Sequence, residues 1–308
     1  MSPLRELAHA KINLYLHVTG RRDDGYHLLD SLAVFAGAAD DLRLDCGSGR
    51  GGHVRLRIEG TFAPGLLDDS ADNLIVRAGA LLCAHVGTDV AARLPDVEIV
   101  LRKELPVASG IGGGSADAAA ALRLLLKAWD LSIDRADLMM LATRLGADVP
   151  VCLDQLPARM EGIGEELTPA PGLPPCGMML VNCGQSVSTP QVFRTRAPGF
   201  TPRADLPARW NTLADMVRDL SAQTNDLQDA ACAICPEITT VLDTLRAAPG
   251  CRLARMSGSG ATCFALFDSP EAARAAEPAV RQGKWWVWAG DLCRAGTRLD
   301  ARADSLSA

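Results

Sequence analysis

The chain has 308 residues, of which 48% are hydrophobic and 22% charged, and its formal net charge is −6. That length carries one large or two medium domains with real cores, and mild acidity with no basic patch argues against a nucleic-acid partner while allowing a small anionic substrate in one pocket. No run approaches the roughly 18 apolar residues of a membrane-spanning helix, and the opening MSPLRELAHA lacks the apolar core of a signal peptide, so the expectation is a cytoplasmic protein, monomer or homodimer, with no membrane partner.

The first element is a strand over residues 7–18. Ile12, Leu14, Leu16 and Val18 alternate with Lys11, Asn13, Tyr15 and His17, and period two gives a strand with one apolar face. Lys11 and Asn13 then project together on the other, non-core side. Residues 20–26, GRRDDGY, read as a polar turn. Strands follow at 28–35, 42–46 and 53–59. Asp72 caps a helix from 73 to 86 that Gly87 ends. A strand at 96–102 leads into a glycine-rich turn and an Ala/Leu helix over 115–129, and a second helix spans 134–145 and closes at Gly146.

The second half begins near residue 155, which divides the chain into segments 1–155 and 156–308. Residues 157–175, rich in Pro and Gly, hold the crossover. A strand over 177–183 precedes a helix at 189–194, with Thr189 as cap and Pro190 at the first helical position. Helices over 225–233 and 236–248, strands over 252–256 and 262–267, and a helix over 270–282 complete the pattern. The tail after Arg298 reads as loosely ordered. Strands followed by helices, without regular βαβ alternation, indicate an α+β fold.

The ten cysteines are scattered and mostly sit in apolar surroundings, which in a chain without an export signal predicts buried thiols. Cys232 and Cys235 form a C-x-x-C pair. No second pair or H-x-x-x-H supplies further ligands, so helix packing is favoured over half a zinc site or a redox pair.

The strongest chemical signal is the run Pro106, Val107, Ala108, Ser109, Gly110, Ile111, Gly112, Gly113, Gly114, Ser115, Ala116. Glycine allows close backbone approach to a ligand. A helix start supplies free N–H groups and the positive end of a dipole, so the run reads as a phosphate cradle rather than a flexible connector. Ser115 adds a hydroxyl for a phosphate or Mg²⁺. No Gly-Lys-Ser/Thr ends the run, so it is not a Walker loop. A second glycine cluster, Ser257-Gly258-Ser259-Gly260, is by itself a tight hairpin; beside the first it could cover a nucleotide. Lys11 in isolation is an exposed strand lysine, and Asp148 a turn or capping aspartate. Brought together near a phosphate, the carboxylate would accept a hydroxyl proton and the ammonium would hold it ionised. Tyr26, in a polar turn beside His27, is placed to stack on a flat base; Phe193 in isolation is a packing residue.

These segments resemble the GHMP kinase superfamily. The first glycine run is similar to its central phosphate loop, and Met256-Ser-Gly-Ser-Gly-Ala-Thr-Cys-Phe264 to its C-terminal glycine motif. Ala8-His-Ala-Lys-Ile-Asn-Leu14, Gly20-Arg-Arg-Asp-Asp-Gly-Tyr-His-Leu-Leu29 and Gly146-Ala-Asp-Val-Pro-Val151 resemble its cytidyl-erythritol kinase branch. The resemblance implies a two-domain α+β fold with the active site in the cleft between the halves. It also implies transfer of phosphate from ATP, with Mg²⁺, to the 2-hydroxyl of a cytidine-diphosphate-linked methylerythritol, in the non-mevalonate route to isoprenoid precursors. By the same resemblance Asp148 is the catalytic aspartate and Lys11 its partner, Asn13 a polar contact, and residues 106–116 the ATP phosphate site. Tyr26 and Phe193 sandwich the cytosine, and His27 reads its polar edge. Three departures stand out. Ala116 replaces a frequent second serine, which puts a Mg²⁺ ligand there in doubt; His9 replaces a proline; Met256 replaces a leucine, a conservative packing change. A GHMP kinase for a smaller polyol or amino alcohol, and a catalytically silent nucleotide or sugar sensor, are the competing readings. The aromatic residues argue against the first and the Lys11–Asp148 pair against the second.

Overall fold

The computed structural model describes residues 4–66 and 72–293. Its first sheet holds β1 (Leu4–Arg21), β2 (His27–Arg50), β3 (Val54–Glu59), β4 (Pro95–Arg102), β5 (Ala158–Gly162) and β6 (Glu166–Pro169). Five helices accompany it: α1 (Leu74–Val86), α2 (Thr88–Ala91), α3 (Gly113–Ala128), α4 (Arg135–Leu145) and α5 (Val149–Asp154). The strand order is β3-β4-β2-β5-β6, with β1 on the other side of β2. β4 pairs with the C-terminal half of β2 and β5 with its N-terminal half, while β1 runs antiparallel along the length of both. β3 and β4 are parallel, joined through α1 and α2.

The second sheet holds β7 (Gly177–Asn182), β8 (Leu253–Met256), β9 (Thr262–Phe267) and β10 (Trp286–Asp291), in the order β10-β7-β9-β8. With it come α6 (Thr189–Thr195), α7 (Leu213–Ser221), α8 (Gln228–Ile234), α9 (Glu237–Ala247) and α10 (Pro270–Val280).

Three apolar clusters hold these layers. The first sets α1, α3, α4 and α5 on the first sheet, with Phe35, Leu44, Ile99, Leu122 and Leu141 at its centre. The second packs α8, α9 and α10 on the second sheet through Ile238, Val241, Phe267 and Val280. The third joins the two sheets: Ile12, Leu14, Tyr15 and Val34 meet Met178, Leu180 and Phe264.

That third cluster corrects the reading of β1 as one-faced. Lys11 is 4% exposed and Asn13 2%, because the chain folds over both faces of the strand. Register shifts between His9 and Lys11 and between Asn13 and Leu16 bracket this polar pair; such bulges re-aim side chains and concentrate beside active sites. Asp30 of β2 is wholly buried and fully bonded. It accepts from Arg159 of β5 (2.6 and 3.0 Å), the Tyr15 hydroxyl (3.1 Å) and the amide of Ala204 (2.7 Å). Removing one partner of such a buried pair costs about 3–5 kcal/mol.

Several elements differ from the sequence reading. β2 is one strand, not two. Residues 36–41, AGAADD, have poor strand propensity, but pairing with β1 and the bonds of Asp40 carry the ladder through them. α1 is capped by Asn73, whose side chain accepts from the amide of Ile75, and not by Asp72. α3 starts at Gly113, two residues before Ser115, with Gly112 as cap. α6 is preceded by Ser188, and Thr189 is its first residue. α8 starts at Gln228, leaving Asn225 outside to bond the carbonyls of Met256 and Gly258. α2, α5, α7, β5, β6 and β10 were not anticipated. The Pro/Gly-rich stretch at 157–175 supplies β5 and β6 to the first sheet. The expectation for the tail after Arg298 lies outside the described residues. Among those residues no helix is long and apolar enough to cross a membrane.

Candidate active site

One cavity of about 1560 Å³ opens between the units built on the two sheets. The glycine run spans β4 to α3 and supplies much of its wall. Pro106, Val107, Ala108, Ser109, Gly110, Gly112, Gly113, Gly114 and Ser115 face it. Ile111 and Ala116, 0% and 1% exposed, turn into the cores instead. Gly112 caps α3 in the left-handed region (φ +62°) with no side chain satisfying the helix end. The first-turn amides of Gly113, Gly114 and Ser115 are thus directed as an anion cradle at the positive end of a 16-residue helix.

The second glycine cluster braces this loop from behind. A Cβ on Gly110 would lie 2.4 Å from the Ser257 carbonyl oxygen, and one on Gly258 2.6 Å from the Gly110 oxygen. The Ser257 hydroxyl donates to the Gly110 carbonyl (3.0 Å) and accepts from the Asn13 amide (3.1 Å). The amide of Thr262 bonds Ser109 O, and that of Lys11 bonds Ile111 O. Gly258 and Ser259 also reach the cavity wall. The cluster is therefore more than a hairpin: it fixes the glycine run against β1.

Lys11 and Asp148 meet across 137 positions of sequence. Lys11 Nζ donates to Asp148 Oδ2 (2.9 Å) and to Asn13 Oδ1 (3.0 Å). Asn13 Nδ2 in turn donates to Ser31 Oγ (2.7 Å), and Ser31 to the Tyr15 carbonyl (2.6 Å). An ammonium has three protons, and the protein uses two of them here. Asp148 stands at the start of α5 but makes no capping bond. Its side chain is 36% exposed against 5% for Lys11, so the carboxylate faces the cavity and the ammonium stands behind it. The pair abuts the phosphate helix: a Cβ on Gly112 would lie 3.1 Å from Lys11 Cε and 3.9 Å from Asp148 Oδ2.

Tyr26, His27 and Phe193 line the same cavity. Tyr26 is 61% exposed, held in its turn by bonds between Arg22 N and Tyr26 O and between Tyr26 N and Asp24. The ring stacked on Phe193 is His27, with centroids 4.9 Å apart and planes 23° from parallel. His27 is pushed below the ordinary imidazole value by burial, and further by the charges of Arg196 and Arg21. At neutral pH it therefore offers one donor and one acceptor.

Sequence reasoning missed a buried triad beneath the loop. Lys103 Nζ donates to Asp40 Oδ2 and Asp117 Oδ2, both at 2.6 Å. Asp40 Oδ1 also takes the amides of Glu104 and Leu105. Burial pushes the Asp117 carboxyl up to about 7, against the opposing pull of Lys103. Lys103 and Asp117 both touch the cavity. The available signal was Asp117 itself, an acid inside the run ADAAAAL. The C-x-x-C cysteines lie elsewhere. Cys235 is buried with its sulfur 3.9 Å from that of Cys183, and Cys232 packs at the edge of the second core.

Residues 73–155 match the family described as GHMP kinases N terminal domain, and residues 205–284 match GHMP kinases C terminal. A protein of Gluconacetobacter diazotrophicus named 4-diphosphocytidyl-2-C-methyl-D-erythritol kinase is 67% identical over 291 residues, covering 94% of this chain and 95% of its own. One of the same name from Granulibacter bethesdensis is 53% identical over 95% of this chain and 96% of its own. A crystal structure of 4-(cytidine 5'-diphospho)-2C-methyl-D-erythritol kinase superposes with a TM-score of 0.75 at 34% identity, over 94% of this chain and 99% of that one. A homoserine kinase from Cytophaga hutchinsonii, at 16% identity and a TM-score of 0.65, shares the fold over 95% of each chain.

Proposed function

We propose, for a chain that belongs to the GHMP kinase family and within it to the 4-diphosphocytidyl-2-C-methyl-D-erythritol kinases, that the cavity transfers the γ-phosphate of ATP to the 2-hydroxyl of 4-diphosphocytidyl-2-C-methyl-D-erythritol. The products are ADP and the 2-phosphate, on the route to isoprenoid precursors. The observation that carries this reading is the placing of the Lys11–Asp148 pair against Gly112, the cap of the phosphate helix.

That geometry supports a division of labour. The amides of Gly113, Gly114 and Ser115 hold the transferring phosphoryl group, and the helix dipole offsets its charge. Asp148 accepts the proton of the substrate hydroxyl as that oxygen attacks phosphorus. Lys11 holds the carboxylate in place through its hydrogen bond, and its third proton supports the nucleophilic oxygen. Asn13, fixed by Ser31, sets the position of Lys11. Positioning and charge supply much of the acceleration in phosphoryl transfer, so Asp148 acts as orienter as well as base.

Mg²⁺ fits the donor set. Among the described residues no group of three His, Cys, Asp or Glu side chains could hold an ion alone, while Mg²⁺ is characteristically carried on substrate phosphates with one or two protein ligands. Ser115, half-buried at the cavity wall, is the residue whose hydroxyl would reach it. The ion would neutralise charge on the phosphate oxygens. At the other part of the cavity Tyr26 and Phe193 supply aromatic faces for the cytosine and His27 a ring nitrogen for its polar edge. A small polyol or amino alcohol would leave that region unused.

The test is a parallel assay of the purified protein with ATP-Mg and 4-diphosphocytidyl-2-C-methyl-D-erythritol, mevalonate or homoserine. Phosphorylation of the cytidyl substrate alone is expected. Preference for either of the others would overturn the substrate, and failure with all three would favour a sensor.

A further inference from the structure

Three arginines surround the His27–Phe193 stack. Arg21 closes β1 and is paired across the hairpin with His27. Directly opposed residues in such a ladder have Cβ atoms about 5 Å apart. Arg194 follows Phe193 in α6, and Arg196 is the residue that ends that helix. All three line the cavity. Among the described residues none of the three has a carboxylate oxygen within 4.0 Å. Asp24, the acid in this stretch of wall, is bonded to Arg22 instead (2.7 Å).

The remaining contacts of these guanidinium groups are to neutral acceptors. Arg21 Nε donates to the Gly25 carbonyl (3.2 Å), and Arg196 Nη1 to that of Gly199 (2.7 Å). Arg196 lies over the Phe200 ring at 5.7 Å, and its Nε is buried without a partner. Both Arg21 and Arg196 oppose a proton on His27, so their charge reaches the stack itself. A chain with a net charge of −6 thus concentrates uncompensated positive charge where its aromatic rings cluster. Elsewhere in the cavity the lysines pair off, Lys11 with Asp148 and Lys103 with Asp117.

We propose that Arg21, Arg194 and Arg196 form the subsite for the diphosphate of the acceptor substrate, separate from the helix end that takes the phosphates of ATP. The inference rests on the cytidine-diphosphate acceptor assigned above and deepens it. The rings receive the base, and the guanidinium forks bind the phosphate oxygens that follow it. Arginine suits this task because its planar fork matches phosphate geometry and its hydrogen bonds to an anion are charge-assisted. The site therefore selects a nucleoside diphosphate over the bare nucleoside, and specificity comes from charge as well as from stacking.

The experiment measures binding of CDP, CMP and cytidine to the full-length protein by titration calorimetry, for wild type and for Arg21→Gln, Arg194→Gln, Arg196→Gln and Arg196→Lys. KM for the cytidyl substrate and for ATP is followed in parallel. Wild type should prefer CDP to cytidine by about 100-fold at low salt, and Arg21→Gln and Arg196→Gln should each cut that ratio by about tenfold. Arg196→Lys should keep part of it, and KM for ATP should move less than KM for the acceptor. An unchanged CDP-to-cytidine ratio in all three Gln variants overturns the subsite. So does an equal loss for CDP and cytidine, which would mean that the arginines only shape the slot. If wild type neither binds CDP nor phosphorylates the cytidyl substrate, the acceptor assignment itself fails, and no variant is needed to see it.

Discussion

Asp117→Asn isolates the triad beneath the phosphate loop. The substitution keeps the shape of the side chain and removes its charge. In the wild type the Asp117 carboxyl is raised, chiefly by burial, from an ordinary value of 3.8 to about 7. A group raised in the folded state gives stability that is fully present below its unfolded value and lost as pH climbs toward its folded value. Between about pH 5 and pH 7 the folded chain holds a proton that the unfolded chain has released, and each step of one in pH removes about 1.4 kcal/mol, so the loss approaches 3 kcal/mol. The amide introduced by the substitution does not titrate. The stability of wild type minus that of D117N should therefore fall by about 2–3 kcal/mol between pH 5 and 7 and flatten near pH 8. Urea denaturation of both proteins at four pH values across this range reads the difference directly. A difference constant to about 0.5 kcal/mol, or one that grows with pH, would refute the reasoning.

Asp148→Asn should lower kcat by about 10²- to 10⁴-fold and leave ATP affinity nearly intact, as read by steady-state kinetics and nucleotide titration; an unchanged kcat would remove Asp148 from the chemistry. Tyr26→Ala should raise KM for the cytidyl substrate more than KM for ATP, and equal effects would argue against stacking. Gly258→Ala places a methyl 2.6 Å from the Gly110 carbonyl at φ +54°, so it should lose more than the roughly 1–2 kcal/mol of left-handed strain and weaken ATP binding. Gly184→Ala, at φ +80° with nothing within 4 Å, is its control and should show the strain alone in thermal melts.

The glycine turn and the helix behind it were legible because their determinants are local: glycines for the turn and an alanine-rich run for the helix. The Lys11–Asp148 pair was not legible from spacing, since its members lie 137 positions apart, and the family resemblance brought them together. The alternation in β1 predicted a polar outer face, and no local pattern could reveal that the two glycine loops would cover Lys11 and Asn13. The triad escaped for the same reason. Lys103 lies 63 positions from Asp40 and 14 from Asp117, and only Asp117, set in its alanine run, differs locally from an ordinary surface charge. Residues 36–41 were misread because strand propensity is weak there and pairing with β1 overrides it.

β2 acts as a ruler. Its 24 residues carry His27 at one end, Ser31 behind the Lys11–Asn13 pair, and Asp40 beneath α3, so one uninterrupted stretch of backbone spaces the proposed base slot, proton-transfer pair and nucleotide anchor. At roughly 3.3 Å per residue, His27 and Asp40 are about 40 Å apart along the strand, a graduation that no loop movement can shorten. Deleting a single residue between Ser31 and Asp40 would turn every later side chain to the opposite face, cutting the anchor loose while the base slot stayed whole. Changes in what this protein recognises are therefore open to the loops at its ends, and the gauge between them is closed to insertion.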